Sequence, residues 1–217
     1  MPYIRDRVIV LKKEPYREHD RCYYMYGREY GLLTAVARGA CLPKSKQAGH
    51  LEPFSESEVM IARGVAFDKL AVARLIHFPA KIDRSFLPSM FLIRGICDML
   101  ITLTRPGISD DRIFYLLIDL IRASEIATPF NRDILELLYQ ITLLRLLGFL
   151  GFATPIIEIV KSSDYFSLVN AVAVMSLTDI AKIGSFDSRV LQIISEYVQG
   201  LLEQSPLESA PSPILMV

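Results

Sequence analysis

Short apolar segments rich in β-branched and aromatic residues recur through the first 80 residues, and such segments are typical of β-strands. Glycine, proline and polar turns separate five such segments. They are Arg7–Lys12, Arg21–Tyr26, Leu32–Arg38, Glu56–Ala62 and Lys69–His77. Five short antiparallel strands leave exposed edges unless they close on themselves, so the pattern predicts a small closed barrel.

From Asp83 onward the apolar positions follow the helical period instead. Phe86–Leu103 is apolar on nearly every side, which is typical of a helix buried among others. Ser109-Asp110-Asp111 predicts the start of a second helix, and Thr128-Pro129 predicts the start of a third. Near the carboxyl end, apolar residues recur at helical spacing: Val190, Ile193, Ile194, Tyr197, Val198 and Leu201.

The two periodicities predict an α+β chain of two domains, a barrel over residues 1–80 and a mainly helical domain over residues 81–217. A hydrophobic content of 52% is ample for packed cores. No segment has the pattern of a membrane span, because the richest apolar region contains Glu136 and Arg145. The first residues also lack the pattern of a signal peptide.

Charge is distributed unevenly, although the formal net charge of the chain is zero. Residues 1–81 contain 14 Lys and Arg against 9 Asp and Glu, a net charge of +5. Residues 82–217 contain 10 against 15, a net charge of −5. This asymmetry favours a polyanionic partner for the first part and a different partner for the second, while chance remains the alternative.

Cysteine and histidine are too sparse and too scattered to suggest catalysis or a metal site. Cys22, Cys41 and Cys97 form neither a disulfide framework nor a zinc knuckle, which favours a reducing cytoplasm. The sequence contains no zinc-protease motif and no phosphate-binding glycine loop. We therefore expect a protein that is not an enzyme and that needs no cofactor and no metal.

An ordered series of short motifs resembles the amino-terminal part of the RecO family of bacterial DNA repair and recombination mediators. The series consists of Val8–Lys12, Tyr16–Asp20, Tyr30–Leu33, Ala37–Ala40 and Pro43–Phe54. The resemblance implies an oligonucleotide-binding barrel (OB-fold) followed by a helical domain, which agrees with the two periodicities.

The second half carries a weaker resemblance. Leu144–Phe149 is similar to the helix that precedes the family's zinc module, and Tyr165-Phe166-Ser167 is similar to a short strand within it. Residues 152–184 contain no cysteine, whereas many relatives have four zinc-binding cysteines there. We expect a degenerate remnant of the module that binds no zinc.

The resemblance implies a function in the bacterial cytoplasm, at the nucleoid. It implies binding of single- and double-stranded DNA, annealing of complementary strands, and help in loading recombinase onto DNA coated by single-strand binding protein. The implied partners are that protein's carboxy-terminal tail and RecR, with RecF and RecA in addition.

Basic side chains at strand ends and in loops are the candidates for phosphate contact. They are Lys12, Lys13, Arg17, Arg21, Arg38, Lys44 and Lys46. Five tyrosines of the same region could stack on bases, but strand alternation assigns about half of them to the core. They are Tyr16, Tyr23, Tyr24, Tyr26 and Tyr30.

The helical domain is implied to bind the acidic, aromatic-ended tail of single-strand binding protein, which requires an apolar cleft flanked by cations. The candidate residues are Arg122, Arg132, Leu144, Arg145 and Phe149. An alternative stays open: the barrel and helices could form a protein-interaction module that binds no DNA. Salt dependence separates the two functions, since phosphate contacts weaken steeply with salt.

Overall fold

The computed structural model describes residues 2–42, 48–79, 87–127, 131–152, 166–183, 185 and 187–203. Its strands are β1 (Tyr3–Tyr16), β2 (Asp20–Gly27), β3 (Gly31–Ala37), β4 (Glu56–Ala62) and β5 (Lys69–His77). A short 3-10 helix at Ala48–His50 precedes β4. The five predicted strands are therefore present, and the limits of β4 and β5 agree with the prediction.

The strands form a closed barrel in the order β1–β2–β3–β5–β4, and β4 pairs with β1 to complete the ring. The predicted barrel is thus confirmed, although β3 and β5 pair in parallel and not antiparallel as expected. β1 continues past its predicted end at Lys12 and includes Pro15. β1 pairs with β4 only as far as Ile9, so the later part of β1 has β2 as its strand partner. Pro15 lies in this later part, where a residue without a backbone N–H is tolerated.

The barrel interior is filled by side chains from alternate positions of the strands. Tyr23 and Met25 of β2 are buried in it, whereas Cys22 and Tyr24, which alternate with them, are partly exposed on the outside. This alternation is the period of two expected for a strand with one buried face. The other large core members are Val8, Val10, Leu33, Leu51, Val59, Ile61 and Leu70.

The described helices are α1 (Leu87–Leu103), α2 (Asp111–Ile126), α3 (Arg132–Phe149), α4 (Phe166–Val174), α5 (Leu177–Ile180) and α6 (Ser188–Glu203). The mainly helical second half is therefore confirmed. None of the helices in the described ranges has the length and apolar character needed to cross a membrane.

Two details of the helical half differ from the prediction. α3 begins at Arg132 and is capped by Asn131, whose side-chain oxygen accepts a hydrogen bond from the N–H of Ile134. The predicted cap at Thr128 is thus wrong, because an Asn closer to the apolar stripe supplies the acceptor. Phe166 and Ser167 lie in helix α4 rather than in a strand, while Tyr165 lies outside the described residues.

The chain forms two compact units. One lies within residues 1–80 and 97–118 and contains the barrel. In it, the buried Tyr26 hydroxyl accepts a hydrogen bond from the N–H of Asp110 and donates one to the carbonyl of the same residue. The other unit lies within residues 81–96 and 119–217, and in it α3 packs against α5 and α6. That residues 1–80 form a domain of their own stays a prediction.

Candidate nucleic-acid interface

An open groove of about 410 Å³ runs along the outer surface of β2 and β3. Its floor includes Cys22, Thr34 and Val36, which point outward from the two strands. One wall contains Tyr16 at the end of β1, and the other is the loop of residues 63–68 that joins β4 to β5. We call this depression the β2–β3 groove.

Asp68 holds the β4–β5 loop in shape. Its carboxylate accepts a hydrogen bond from Arg63 Nη1 at 2.8 Å and another from the N–H of Gly64 at 3.0 Å. Its carbonyl accepts from the N–H of Val36 at 2.9 Å, which ties the loop to β3. A Cβ at Gly64 would lie 2.1 Å from the Phe67 carbonyl oxygen, so this loop requires glycine there. The loop thereby places Phe67 beside the strands.

Two aromatic rings and two cations meet at one end of the groove. The ring centroids of Tyr16 and Phe67 are 5.9 Å apart, with an angle of 58° between the planes. Arg17 Cζ lies 5.4 Å from the Tyr16 centroid and 6.0 Å from that of Phe67. Lys69 Nζ lies 5.7 Å from the Phe67 centroid. We call these four residues the stacking cluster.

Arg17 reaches the rings from an unusual backbone conformation. Its φ is +57°, in the left-handed region that non-glycine residues seldom adopt. The residue is the first of the three-residue turn between β1 and β2, and its side chain is exposed. The tight turn therefore requires this conformation, and the guanidinium lies over aromatic faces.

Lys12 and Lys13, two of the predicted phosphate contacts, are each beside a carboxylate. Lys12 Nζ lies 2.7 Å from Glu14 Oε1, and Lys13 forms an ion pair with Glu52. As neighbours on a strand, the two lysines point to opposite faces. The hydrogen bond from Lys12 holds the pKa of Glu14 below its ordinary value, so this pair carries no net charge at neutral pH.

The other predicted contacts have different environments. Arg17 belongs to the stacking cluster, Arg21 is half-buried next to Pro15, and Arg38 is exposed just after β3. Lys44 and Lys46 lie outside the described residues. A role of these side chains in DNA contact stays a prediction.

Alternation along β2 separates the tyrosines as predicted. Tyr23 is a core residue, Tyr24 faces outward, and Tyr26 faces outward but is covered by its contact with Asp110. Tyr30 packs partly against the core. Tyr16 is the one of the five that belongs to the stacking cluster.

Cys22 on the floor of the groove stays neutral. Burial raises the pKa of its thiol, and the nearby Glu14 raises it further. A neutral thiol adds apolar surface to the floor and no negative charge that would repel a phosphate chain. Arg17 and Lys69 therefore add positive charge at this end of the groove, beside the paired charges of Arg63 and Asp68.

Sequence reasoning missed Phe67 and Lys69. The sequence analysis gives Lys69 only as the start of a strand and does not single out Phe67, because Phe67 is 51 positions from Tyr16 in the chain and only the barrel brings them together. The signal in the sequence is the glycine-containing loop Arg63–Asp68 with its aromatic residue. In an OB-fold this loop borders the ligand surface of the second and third strands.

In the helical unit, the residues predicted to bind a partner tail have different environments. Arg145 is partly buried, and its Nη2 donates to the carbonyl of Ala173 at 3.0 Å and also to that of Met175. These hydrogen bonds satisfy backbone carbonyl groups at the carboxyl end of α4. They leave Arg145 with few N–H groups that could bind a ligand. Arg122 and Arg132 are exposed, Leu144 is buried and Phe149 is half-buried.

Within the described ranges, no group of three or more His, Cys, Asp or Glu side chains could hold a metal ion.

A closed five-stranded barrel with a groove over its second and third strands, bordered by the β4–β5 loop, is an OB-fold domain. Residues 1–79 match the family described as "Recombination protein O N terminal". Residues 1–79 therefore resemble the amino-terminal domain of the RecO family, as the sequence motifs indicated, and the relatives below extend the similarity beyond this domain.

The relatives are proteins named DNA repair protein RecO. The one from Pelotomaculum thermopropionicum is 26% identical over 151 residues, which cover 69% of this chain and 56% of the relative. That from Cutibacterium acnes is 28% identical over 165 residues, or 74% of this chain and 66% of the relative. The one from Syntrophomonas wolfei is 30% identical over 91 residues, which cover 42% of this chain and 36% of the relative. The chain thus spans between about a third and two thirds of these relatives' length.

Proposed function

We propose that this protein is a DNA repair and recombination mediator that binds DNA in the β2–β3 groove. The observation that carries the proposal is the stacking cluster, in which two cations lie within 6.0 Å of aromatic ring centroids at the edge of an OB-fold ligand groove. Single strands are bound elsewhere by this combination, since cations neutralise phosphates and rings stack on bases.

The finer activities belong to the same proposal. The barrel binds single- and double-stranded DNA, anneals complementary strands and assists recombinase loading on DNA coated by single-strand binding protein. It does so without catalysing a reaction, in the cytoplasm at the nucleoid. Resemblance to the family supports these activities, because relatives carry the name DNA repair protein.

Partners are proposed on the same basis. RecR, RecF and RecA are candidates as partners in the repair machinery. The acidic tail of single-strand binding protein is assigned to the helical unit, where the exposed Arg122 and Arg132 supply cations. We expect Arg145 to act in that unit through its bonds to the carbonyls of Ala173 and Met175 rather than through the tail.

Fluorescence anisotropy with a labelled single strand tests the proposed function, at several salt concentrations and with and without single-strand binding protein. Binding through phosphates should give a logarithmic salt slope of about −0.7 per contact. A fluorescence-quenching assay with complementary strands then tests annealing. The proposal fails if the folded chain binds no single strand at low salt, or if binding does not change with salt. Either result would favour a protein-interaction module.

A further inference from the structure

We propose that the rings of Tyr16 and Phe67 bind one unpaired nucleobase, which takes the position that the Arg17 guanidinium occupies in this structure. The inference rests on the proposed function, since it requires DNA in the β2–β3 groove. It specifies which part of the nucleic acid the groove recognises, namely the face of a base in addition to a phosphate.

The arrangement of the rings leaves a face open for a third planar group. Tyr16 and Phe67 are tilted by 58° and are 5.9 Å apart, so they do not cover each other as two parallel rings would. The third group in this structure is the Arg17 guanidinium, 5.4 Å and 6.0 Å from the two centroids. A guanidinium is planar and delocalised and stacks on aromatic faces, as a nucleobase does.

Arg17 holds this position weakly. Its side chain is exposed, and its backbone is in the left-handed region at φ +57°. A cation–π contact in water is worth less than a base stacked on an aromatic side chain. Once displaced, the same guanidinium gains a charge-assisted hydrogen bond to the phosphate that enters with the base.

The surroundings of the rings suit a nucleotide chain. Asp68 and Gly64 fix the loop that presents Phe67, so this ring is already in place before a ligand arrives. Lys69 Nζ, 5.7 Å from the Phe67 centroid, is positioned for the phosphate next to the stacked base. The open groove continues over β2 and β3 and gives neighbouring nucleotides a path. Bases inside a duplex are already stacked on both faces, so the cluster selects unpaired ones.

The first test compares two labelled single strands of equal length, oligothymidylate and an abasic phosphodiester chain, by anisotropy. The intact chain should bind oligothymidylate roughly tenfold more tightly or better, the size of one lost base–aromatic stack. Phe67→Leu should reduce this ratio towards one while leaving the salt slope unchanged. Tyr115→Leu removes an exposed ring of the same unit outside the groove and should keep the ratio.

The second test separates base stacking from phosphate contact. A single strand that contains 2-aminopurine should lose fluorescence on binding to the intact chain and to Arg17→Gly, because both retain the rings. Glycine adopts the left-handed conformation freely. Arg17→Gly should instead reduce the salt slope by about 0.7.

The inference is overturned if the intact chain binds the abasic strand as tightly as oligothymidylate, a comparison that needs no variant. It is also overturned if Arg17→Gly abolishes the 2-aminopurine quenching. In both cases DNA binding itself persists and the proposed function stands. If neither strand binds, the proposed function fails and this inference fails with it.

Discussion

The barrel presents cations on two outer surfaces and holds them in different ways. At the β2–β3 groove, Arg17 and Lys69 lie over aromatic faces. Over β1, β4 and β5, a shallow depression of about 450 Å³ forms what we call the β4 face. It is lined by Arg5, Asp6, Arg7, Glu58, Val59, Met60, Val72 and Arg74.

Two arginines of the β4 face are paired with carboxylates. Arg74 Nη2 lies 2.7 Å from Glu58 Oε2, and Arg7 Nε donates to Glu56 although its Cζ also lies 6.0 Å from the Phe114 centroid. A polyanion could use these cations only by displacing the carboxylates. We infer that the side chains that contact the basic residues, rather than the number of basic residues, indicate which surface binds nucleic acid.

Three basic residues follow β3 in the chain, and a variant that lacks them tests whether the DNA site extends beyond the groove. Replacing Arg38, Lys44 and Lys46 by alanine should flatten the salt slope for a single strand by about two units, at roughly 0.7 per lost contact. Affinity should fall for all sequences alike, because phosphate contacts do not read bases. Circular dichroism should show an intact fold. An unchanged slope would confine the DNA site to the groove itself.

A variant of the β4–β5 loop tests whether the position of Phe67 in the β2–β3 groove matters for binding. Gly64→Ala places a Cβ 2.1 Å from the Phe67 carbonyl oxygen, so the loop must move and carry the ring with it. Overpacking of this kind costs about 1–3 kcal/mol of unfolding free energy. We expect base-dependent binding to fall several-fold. Gly49→Ala is the matched control, since a Cβ at Gly49 meets nothing within 4 Å, and a comparable loss there would contradict the loop's role.

The smallest expected effect concerns the buried Asp6 of the β4 face. Its carboxylate accepts hydrogen bonds from the N–H groups of Arg7, Glu29 and Tyr30. Burial nevertheless raises the pKa of Asp6 above its ordinary value of 3.8. Between pH 3.8 and the raised pKa, Asp6 therefore holds its proton more in the folded protein than in the unfolded chain, and its contribution to the unfolding free energy falls as the pH rises.

Across that window, the unfolding free energy from chemical denaturation should change with pH in a more negative direction in the wild type than in Asp6→Asn, whose side chain does not ionise. Single-strand binding at neutral pH should be the same for both proteins, because Asp6 lies away from the groove. A steeper fall in Asp6→Asn would contradict the assigned direction of the pKa shift.

Much of the barrel could be predicted from local patterns. Glu56–Ala62 and Lys69–His77 are apolar segments separated by the turn at Arg63-Gly64, so their limits followed from the sequence. The end of β1 did not, because a proline ordinarily stops a strand and only the pairing pattern shows that Pro15 is tolerated. The cap of α3 was placed too early because Thr128-Pro129 and Asn131 are both plausible local signals.

The candidate site was predictable only in part. Tyr16 and Arg17 lie in a motif that resembles the family, and the turn residues around them are visible in the sequence. Phe67 and Lys69 become neighbours of these residues only when the barrel closes, which is a long-range contact that periodicity does not encode. The ion pairs of Lys12 and Lys13 likewise depend on where Glu14 and Glu52 lie in the folded barrel.

The central claim is that DNA binds in the β2–β3 groove and not on the β4 face. Two double variants with the same change in charge test it most directly, Arg17→Asn/Lys69→Gln in the groove and Arg5→Gln/Arg74→Gln on the β4 face. Asparagine is chosen at position 17 because it tolerates the left-handed backbone.

Single-strand affinity is measured by anisotropy across a salt series for both variants and the wild type. The groove variant should show a salt slope flatter by about 1.4 units, at roughly 0.7 per contact, and the β4-face variant should match the wild type. A flatter slope in the β4-face variant, with the groove variant unchanged, would contradict the account.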